Sequence, residues 1–583
     1  MKPEVIQNNN KGVAPVKKEF IVDFNDTNLP DYVKKRLEEE KEDRNTVIEK
    51  EDENGEPVKK KARGMNKGRR KEMDKARIEI STNQARLCPS TIFALRNKTY
   101  GTEESTDKKC RFGDKCKYYH SLEEYSKVRQ PDIGEKCYNF EIRGVCPYNI
   151  ACRFHKDHTL ENFEQKVDEK KKEEYEKIPV CTMFRNPDIK IMLNKNRYNF
   201  KESDELVKGY NEENVTKLGA MEREKASLKI KEMAGKPYLA PLTTVGNLPF
   251  RRICVKAGCK ITCGEMALAT NIVKGIGSEC SLLKRHHSEK IFGVQIAGGF
   301  PDTMTRAAQV IKEHCDVDFV DINMGCPIEL INSKGGGCAL PSKWNKISSV
   351  VYCMKNILTD IPLTIKVRSG IKEGDNNIHK MLSRLVNFSP PDLITLHPRS
   401  KEQRYTKLAD WDYVETVSEA IDKKSSFWVC GDITSWTDYY DRLENKPIDG
   451  IMIGRAALIK PWIFTEIEQK RHIDITASER LEYIQDYVNF GLEHWGSDDA
   501  GLEATRRFLL EWLSFTNRYI PVGMLEVLPQ RLNERPPYLK GRNEMEHLLS
   551  SPRCKDWIKI SEMFLGPVPQ DFVFVPKHKA NSY

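Results

Sequence analysis

Residues 318–340 read DFVDINMGCPIELINSKGGGCAL, and this stretch decides the fold. An apolar run opens it and Gly325 with Pro327 closes that run, a pattern typical of a buried parallel strand that ends in a tight turn. Asn323 and Cys326 lie at the end of the predicted strand. If the strand belongs to a β/α barrel, its C-terminal end is where barrel enzymes hold their reactive groups. Cys326 is therefore the first candidate for a catalytic residue.

The role of Cys326 has alternatives. Free cysteine is among the most buried residue types, so one alternative is that Cys326 is an inert thiol in the core. A Gly-Cys-Pro turn followed by glycines at 335–337 is a poor place to bury a side chain, and such glycines let a backbone approach a ligand closely. An unperturbed thiol is mostly protonated at neutral pH, so Cys326 can act as a general acid. A nucleophile is the rival role, although no histidine lies at activating sequence distance.

The composition narrows the class of protein. A net charge of +9 over 583 residues and a mean hydropathy of −0.61 indicate about two to four domains with a substantial polar part. The charge permits a polyanionic partner without demanding one, because 95 basic residues stand against 86 acidic ones. The sequence shows no secretory signal after Met1 and no apolar run that could span a bilayer, so we expect no membrane partner. The 17 cysteines should therefore be reduced or metal-bound.

Residues 1–80 are predicted to form a disordered, charged arm. Lysine, glutamate, aspartate and asparagine dominate them, and their few large apolar side chains cannot offset the entropy of ordering. The basic block at 59–71 resembles a nuclear-localisation or RNA-contacting segment, and a solvated run of charge is the alternative. We expect a protein of the cytoplasm and nucleus.

Two clusters of cysteine and histidine follow within residues 81–160. The first comprises Cys88, Cys110, Cys116 and His120, and the second comprises Cys137, Cys146 and Cys152 with either His155 or His158. Zinc takes four tetrahedral thiolate or imidazole ligands and lets a segment with almost no core fold around the ion. We therefore predict one Zn2+ in each cluster, with unbound thiols as the alternative.

The spacing in both clusters resembles that of CCCH zinc fingers, a class that mostly binds RNA. Only two residues separate Cys152 from His155, fewer than usual, so His158 is predicted as the fourth ligand. Aromatic side chains lie among lysine and arginine in both fingers: Phe112, Tyr118, Tyr119, Tyr138, Phe140 and Phe154. They would either stack on unpaired bases or form the minimal cores of the fingers.

Short apolar runs separated by helical patterns predict an α/β fold, a (β/α)8 TIM barrel over residues 237–470. A doubly wound sheet is the alternative. Charged, helix-prone residues 161–236 are predicted to form a helical linker before it. The predicted strands are 238–242, 261–265, 292–297, 319–324, 363–368, 393–399, 427–433 and 450–455.

Polar or special residues recur where the predicted strands end. The loops after strands seven and eight contain Gly431 and Gly454–Arg455, and these loops are the usual phosphate-binding place of a barrel. The layout fits flavin mononucleotide (FMN), with its phosphate at these residues and its ring bonded by Lys366 and Gln295.

Several segments in this order resemble those of the tRNA-dihydrouridine synthases: PLTTVGNLPFRR, VQIAG, DINMGCPIELINSKGGGCAL, IKVRSG, LHPRSKEQRYTK, GDI and IGRAALIKPWIF. With tandem CCCH fingers and the C-terminal RRFLLEWLSF, the chain is similar to the eukaryotic zinc-finger branch of that family. The resemblance implies reduction of uridine to 5,6-dihydrouridine in tRNA, at position 47 of the variable loop. It implies FMN as cofactor and NADPH, or less favourably NADH, as electron donor. Whether mRNA is a second substrate stays open.

The resemblance also implies residue roles. Cys326 would protonate carbon 5 of the uracil while hydride reaches carbon 6, and Asn323 and Arg399 would hold the uracil edge. The implied flavin contacts are Pro241, Leu242, Thr243, Gln295, Lys366, His397, Gly431, Asp432, Gly454 and Arg455. Cys430 stands where the family usually has asparagine, so that contact comes from the backbone or is lost.

Residues 471–583 carry apolar side chains at helical spacing and predict a helical domain, which in the family grips tRNA. The side chains predicted to contact phosphates are Arg506, Arg507, Arg518, Lys540 and Arg542, and a plain helical cap is the alternative. A monomer is expected. Two other functions compete: an RNA-binding protein with an inactive barrel, and an FMN reductase of free pyrimidines, against which the fingers and basic helices argue.

Overall fold

A closed barrel of parallel strands forms the centre of the molecule. The computed structural model describes residues 12–48, 85–100, 110–179, 183–210, 220–570 and 572–577. The strands are β1 Tyr238–Leu239, β2 Ile261–Cys263, β3 Ala267–Leu268, β4 Ile291–Ala297, β5 Phe319–Met324, β6 Leu363–Arg368, β7 Leu393–His397, β8 Ser426–Val429 and β9 Gly450–Ile453. β1 pairs with both β2 and β9, and β2 pairs with β4, which closes the ring, while the short β3 pairs with β4 alone. The prediction of a (β/α)8 barrel is confirmed.

The interior of the barrel has an apolar half and a polar half. Phe319 and Leu393 pack with other buried side chains where the strands begin, since a barrel of this size must be filled. Side chains alternate along a strand, so Asp321 and Asn323 follow Phe319 on the inner face of β5, as His397 follows Leu393 on that of β7. The polar residues therefore collect at the C-terminal ends of the strands.

Helices precede the barrel in the chain, connect its strands and follow its last strand. Before the barrel lie α1 Asp31–Ile48, α2 Pro89–Tyr100, α3 Leu122–Val128, α4 Tyr138–Arg143, α5 Glu169–Glu176, α6 Asp188–Asn194, α7 Lys201–Gly209 and α8 Ala220–Met233. Between and after the strands lie α9 Leu248–Lys256, α10 Ala269–Val273, α11 Gly277–Cys280, α12 Pro301–His314, α13 Glu329–Asn332, α14 Trp344–Leu358, α15 Ile378–Phe388, α16 Tyr413–Ile421, α17 Trp436–Asn445, α18 Arg455–Ile459 and α19 Ile463–Gln469. The C-terminal helices are α20 Ala477–Trp495, α21 Asp499–Thr516, α22 Glu544–Leu549 and α23 Cys554–Leu565.

The C-terminal helices are joined to the barrel by a continuous apolar core. Thr476 and Glu479 form a reciprocal capping box that starts α20, and α20 packs against both α9 and α21. Trp512 of α21 is buried against Phe250 of α9 and donates from its indole nitrogen to the carbonyl of Leu458 at 3.0 Å. Within the described part of the chain, no helix has the length and apolar character needed to cross a bilayer.

The segment 12–48 packs on the C-terminal region, so the prediction of a disordered arm is wrong for these residues. Val33 of α1 is fully buried, and Arg36 donates to the carbonyl of His547 at 3.0 Å. Ala14 N donates to Arg535 O at 2.9 Å. The few apolar side chains here suffice because the far end of the chain supplies the surface that buries them. The basic block at 59–71 lies outside the described residues.

Candidate active site and metal clusters

A chain of hydrogen bonds crosses the polar end of the barrel and ends at Cys326. Thr364 Oγ1 donates to Asp321 Oδ1 at 2.6 Å, and Gln295 Nε2 donates to Asp321 Oδ2 at 2.7 Å. Asn323 Nδ2 donates to Gln295 Oε1 at 2.7 Å, and Asn323 Oδ1 accepts from the backbone N of Cys326 at 2.9 Å. The pairing register makes this possible, because it places Gln295 opposite Asp321 and Asp321 opposite Thr364.

The glycine-rich segment after Cys326 holds the cysteine loop in place. Gly337 has a φ of +57°, and a Cβ there would lie 2.6 Å from the carbonyl oxygen of Cys326. That carbonyl accepts from Cys338 N at 3.1 Å. A Cβ on Gly299 would lie 2.4 Å from the Gly335 carbonyl, so the glycines allow two loops to touch. We expected these glycines to approach a ligand; the contacts the structure gives them are with protein backbone.

The Cys326 thiol is half-buried, and its environment keeps it protonated. Burial raises the pKa of Cys326, and the nearby Arg368 and Lys366 offset this only in part. A protonated thiol suits a proton donor better than a nucleophile, which needs the thiolate. Burial also raises the pKa of Asp321 to about 6, although Thr364 and Gln295 hold its charged form.

Cationic side chains converge beside this network on the next strands. Arg368 donates to Gly325 O at 2.8 Å and to the hydroxyl of Tyr405 at 3.2 Å. The Arg455 guanidinium lies 3.9 Å from the centre of the Tyr405 ring, and the His397 ring stacks on that ring at 6.1 Å. Burial and the surrounding positive charge lower the pKa of His397 well below its ordinary value, so its imidazole is neutral. Among the described residues, no carboxylate lies within ion-pair distance of Lys366.

Arg399 and Asp432, which the resemblance assigns to uracil and flavin, form an ion pair with each other. Arg399 Nη2 lies 2.6 Å from both carboxylate oxygens of Asp432, and the same guanidinium donates to Lys407 O at 2.8 Å. The Arg399 side chain is 1% exposed. Asp432 also accepts from Ala409 N at 2.7 Å. Both residues therefore fix the loops after β7 and β8, and their roles toward uracil and flavin stay predictions.

The remaining predicted cofactor residues meet at one mouth of the barrel. Leu242 lies beside Gly454, since its Cδ2 is 4.0 Å from where a Gly454 Cβ would stand. Ala240 Cβ lies 3.8 Å from the same position, so Gly454 meets its neighbours at ordinary van der Waals distance. Pro241 and Leu242 are half-buried and Thr243 is exposed, all in the loop after β1, and Gly431 follows β8.

The donor set at this mouth fits an anionic, carbonyl-rich cofactor. Lys366, Arg368 and Arg455 supply positive charge, which Asp432 offsets in part, because it pairs with Arg399 at 2.6 Å and lies 3.4 Å from Arg455. Thr395 Oγ1 and Ser369 Oγ are buried beside them without a hydrogen-bond partner among the described residues. Buried polar atoms of this kind normally have a partner, and a ligand can supply it. The residues present thus fit FMN, whose phosphate is anionic and whose ring carries carbonyl groups.

Sequence reasoning missed Asp321 and Tyr405. The alternation of side chains along a strand would have identified Asp321, because it lies two residues before Asn323 on the inner face of β5. Tyr405 lies in the long loop after β7, and no local pattern reveals its stacking on His397.

The two cysteine–histidine clusters are each assembled within 4.8 Å: Cys88, Cys110, Cys116 and His120, and Cys137, Cys146, Cys152 and His158. His155 instead pairs with Asp132 at 2.7 Å through its Nδ1. His158 Nε2 is buried beside the three thiols with no hydrogen-bond partner in the described residues, as a metal ligand would be. Each donor set fits Zn2+.

Three of the five arginines and lysines predicted to contact phosphates are bound internally. Arg506 donates to Leu565 O at 2.7 Å and to Ser561 Oγ at 2.9 Å. Arg518 donates to Leu532 O at 3.0 Å. Arg542 pairs with Asp474 at 2.6 Å and with Glu546 at 2.7 Å. These three side chains are therefore held by protein partners, whereas Arg507 and Lys540 are half-buried.

The chain is similar in sequence to known dihydrouridine synthases over most of its length. A sequence model described as "Dihydrouridine synthase (Dus)" matches residues 238–516. A Xenopus tropicalis protein named tRNA-dihydrouridine(47) synthase [NAD(P)(+)]-like is 46% identical over 555 residues, which cover 90% of this chain and 84% of that protein. Its Homo sapiens counterpart is 42% identical over 575 residues, with coverage of 90% and 84%. A Coprinopsis cinerea protein named tRNA-dihydrouridine(47) synthase [NAD(P)(+)] is 37% identical over 689 residues, covering 98% of both chains.

Solved structures overlap more loosely. Morphinone reductase in complex with tetrahydroNAD covers 41% of this chain and 87% of its own, at 12% identity and a TM-score of 0.30. That overlap is too slight to decide function or cofactor.

Proposed function

Since the chain belongs to the dihydrouridine synthase family, we propose that it reduces uridine to 5,6-dihydrouridine in tRNA, at position 47 of the variable loop. The position follows the names of relatives that match nearly the whole chain. The observation that carries the proposal is the protonated, half-buried thiol of Cys326 beside a mouth lined by the cationic side chains of Lys366, Arg368 and Arg455. A double bond is reduced there by one hydride and one proton, and the thiol is the proton donor.

FMN is the proposed cofactor, and NADPH or NADH the proposed electron donor. Bound at this mouth, FMN supplies the hydride for carbon 6 of uracil. Arg455 with the backbones of Gly431 and Gly454 would hold its phosphate. Lys366 and Gln295 would bond its ring, and Pro241, Leu242 and Thr243 would border it. His397 stays neutral and therefore offers the cofactor a hydrogen bond rather than a second positive charge.

The protein's own contribution to the chemistry centres on Cys326. Its Sγ–H bond breaks as the proton moves to carbon 5, while hydride arrives at carbon 6. Asn323 anchors the backbone of that cysteine and would bond the uracil edge. Arg399 is proposed to lie at the uracil edge and Asp432 at the flavin, with their side chains paired to each other.

A uridine inside folded RNA must leave its stack to reach this thiol. Exposed apolar side chains follow four consecutive strands at this mouth, and they would contact the bases beside the extruded one: Phe300, Ile328, Leu330, Ile371 and Leu408. The exposed aromatic rings of the first finger, Phe112 and Tyr118, would stack on unpaired bases. Both fingers are proposed to hold Zn2+. The enzyme is proposed to act as a monomer in the cytoplasm and nucleus, and mRNA is an additional proposed substrate.

The test combines spectroscopy with mass spectrometry of RNA. Purified protein should show FMN absorbance that NADPH bleaches, and should form dihydrouridine at position 47 of tRNA but none on free uridine. Cys326→Ala should keep bound FMN and NADPH oxidation while losing at least about 100-fold in dihydrouridine formation, since a general acid contributes about that much. A colourless protein would leave an RNA-binding protein with an inactive barrel. Turnover of free uridine would instead identify a pyrimidine reductase.

A further inference from the structure

The hydrogen-bond chain beneath Cys326 has a fixed direction. Backbone N–H groups can only donate, so the atom of Asn323 that faces the backbone nitrogens of Gly325 and Cys326 must be Oδ1. A carboxylate can only accept, so the atom of Gln295 that faces Asp321 Oδ2 must be Nε2. Between the two ends, Asn323 Nδ2 donates to Gln295 Oε1 at 2.7 Å. Both ends thus require the same orientation of both amides.

We propose that Asp321 is a positioning residue: it sets the orientation of the Gln295 and Asn323 amides and, through them, the backbone of Cys326. The kinetic tests of this inference rest on the proposed function. Each amide nitrogen keeps one N–H that the chain does not use, because a primary amide has two. The site therefore presents donors to a bound ring. A pyrimidine edge that carries a carbonyl oxygen accepts from them, whereas an edge that carries an amino group does not.

The environment of Asp321 is consistent with this role. The side chain is 1% exposed, and a buried carboxylate is expensive unless its oxygens are hydrogen-bonded. Thr364 and Gln295 satisfy one oxygen each. An asparagine at 321 that turned its N–H groups toward Gln295 would force the Gln295 oxygen to face it. The Gln295 nitrogen would then oppose Asn323 Nδ2, donor against donor. The disturbance would pass along the chain to Cys326.

The first experiment separates the two half-reactions in full-length, FMN-loaded protein. Asp321→Asn should slow reduction by NADPH less than it slows reoxidation by tRNA, because its effect on reduction passes only through the Gln295 contact to the flavin ring. It should slow reoxidation by tRNA about 10- to 100-fold, as expected when buried polar groups lose their partners. Thr364→Val is the matched control, because it removes the bond to the other carboxylate oxygen and leaves the acceptor for Gln295 in place. Its loss in reoxidation should be at least about 3-fold smaller than that of Asp321→Asn, and an equal loss in both variants would overturn the proposal.

The second experiment asks whether Asp321 acts through Asn323. If it does, adding Asp321→Asn to Asn323→Ala should slow reoxidation by less than about 2-fold beyond Asn323→Ala alone, because residues in one chain do not contribute additively. Fully additive losses would show that Asp321 acts by another route and would refute the positioning role.

The third readout is independent of turnover. Alkylation of Cys326 by iodoacetamide, followed by mass spectrometry, should be at least about 3-fold faster in Asp321→Asn, since the anchor of its backbone is loosened. Cys554, half-buried on α23, is the internal reference and should react at its wild-type rate. Equal acceleration at both thiols would indicate general loosening and reject the proposal. If wild-type protein forms no dihydrouridine, the proposed function fails, while the alkylation ratio still decides the role of Asp321.

Discussion

The two cysteine–histidine clusters have the same donor set and opposite surroundings. In the second cluster all four side chains are at most 2% exposed, whereas in the first His120 is exposed and Cys110 and Cys116 are half-buried. The second finger, residues 137–158, is enclosed by the C-terminal helices. The first, residues 88–120, packs on the second through a small cluster that includes Leu87 and Ile150.

The contacts of the second finger are those of a structural element. Arg153 donates from its backbone to Ser497 O at 2.8 Å, and its guanidinium pairs with Asp499 at 2.8 Å. Asn139 donates to Leu492 O at 3.2 Å. The aromatic rings follow the same division: Phe154 is buried in the second finger, whereas Phe112 of the first is 58% exposed. One donor set thus occurs in two environments, one enclosed by helices and one exposed, and we propose that only the exposed finger contacts RNA.

The largest expected effect separates the two clusters by stability. Cys152→Ala should lower the free energy of unfolding by about 5 kcal/mol and the melting temperature by about 10 °C, because the zinc site is part of the core between finger and helices. Cys116→Ala, the matched change in the first finger, should alter the melting temperature by less than about 3 °C and weaken tRNA binding instead. Differential scanning calorimetry and tRNA titration measure the two outcomes. Equal loss of stability in both variants would contradict the claim that only the second cluster supports the fold.

Removal of zinc should occur in two separate phases. A chelator reaches the exposed first cluster directly, so one ion per chain should be lost quickly. The second ion should leave only with unfolding of the surrounding helices, because its ligands are buried. A colorimetric zinc assay followed over time, with circular dichroism in parallel, measures both. A single phase that releases both ions without loss of helix would contradict the structural role of the second finger.

Aromatic side chains should divide in the same way. Phe112→Ala should weaken tRNA binding by about 1–3 kcal/mol, the range for a base stacked on a ring, and leave stability unchanged. Tyr138→Ala is the matched control in the second finger, where the ring packs against Phe490. It should lower stability more than tRNA affinity. Binding isotherms measure the tRNA affinity of both variants, and thermal melts measure their stability. The reverse result would place the RNA-binding surface on the second finger.

The smallest effect is expected at an exposed ion pair. Lys98 and Glu164 lie 3.2 Å apart with side chains 70% and 55% exposed. Lys98→Ala should change stability by less than about 0.5 kcal/mol, since solvent screens such pairs. A urea unfolding curve measures this change. A larger loss would mean that the first finger is held more tightly than its exposure indicates.

The sequence was sufficient for the features that local pattern determines. Apolar runs ending in polar or glycine residues located the strands of the barrel, and the position of Cys326 at the end of β5 followed from the same pattern. Cysteine spacing brought together the side chains that the structure assembles, and His158 rather than His155 joins them.

Long-range pairing could not be predicted in this way. Arg399 and Asp432 lie on loops after different strands, and their ion pair depends on closure of the barrel. Arg506, predicted to contact phosphates, donates instead to the carbonyl groups of Leu565 and Gly566 at the end of α23. The apolar side chains of 12–33 are too few for a core of their own, and no window of sequence shows that the other end of the chain receives them.

The packing of segment 12–48 on the C-terminal region has a consequence for synthesis on the ribosome. Arg36 and its partner His547 are separated by 511 residues, so the segment emerges first and its surface last. At about 5–20 residues per second, its apolar side chains wait about 25–100 s without their native cover. The nascent chain therefore presents a chaperone-binding stretch throughout translation, and a protein truncated near its C-terminus would expose that stretch permanently to cellular proteases.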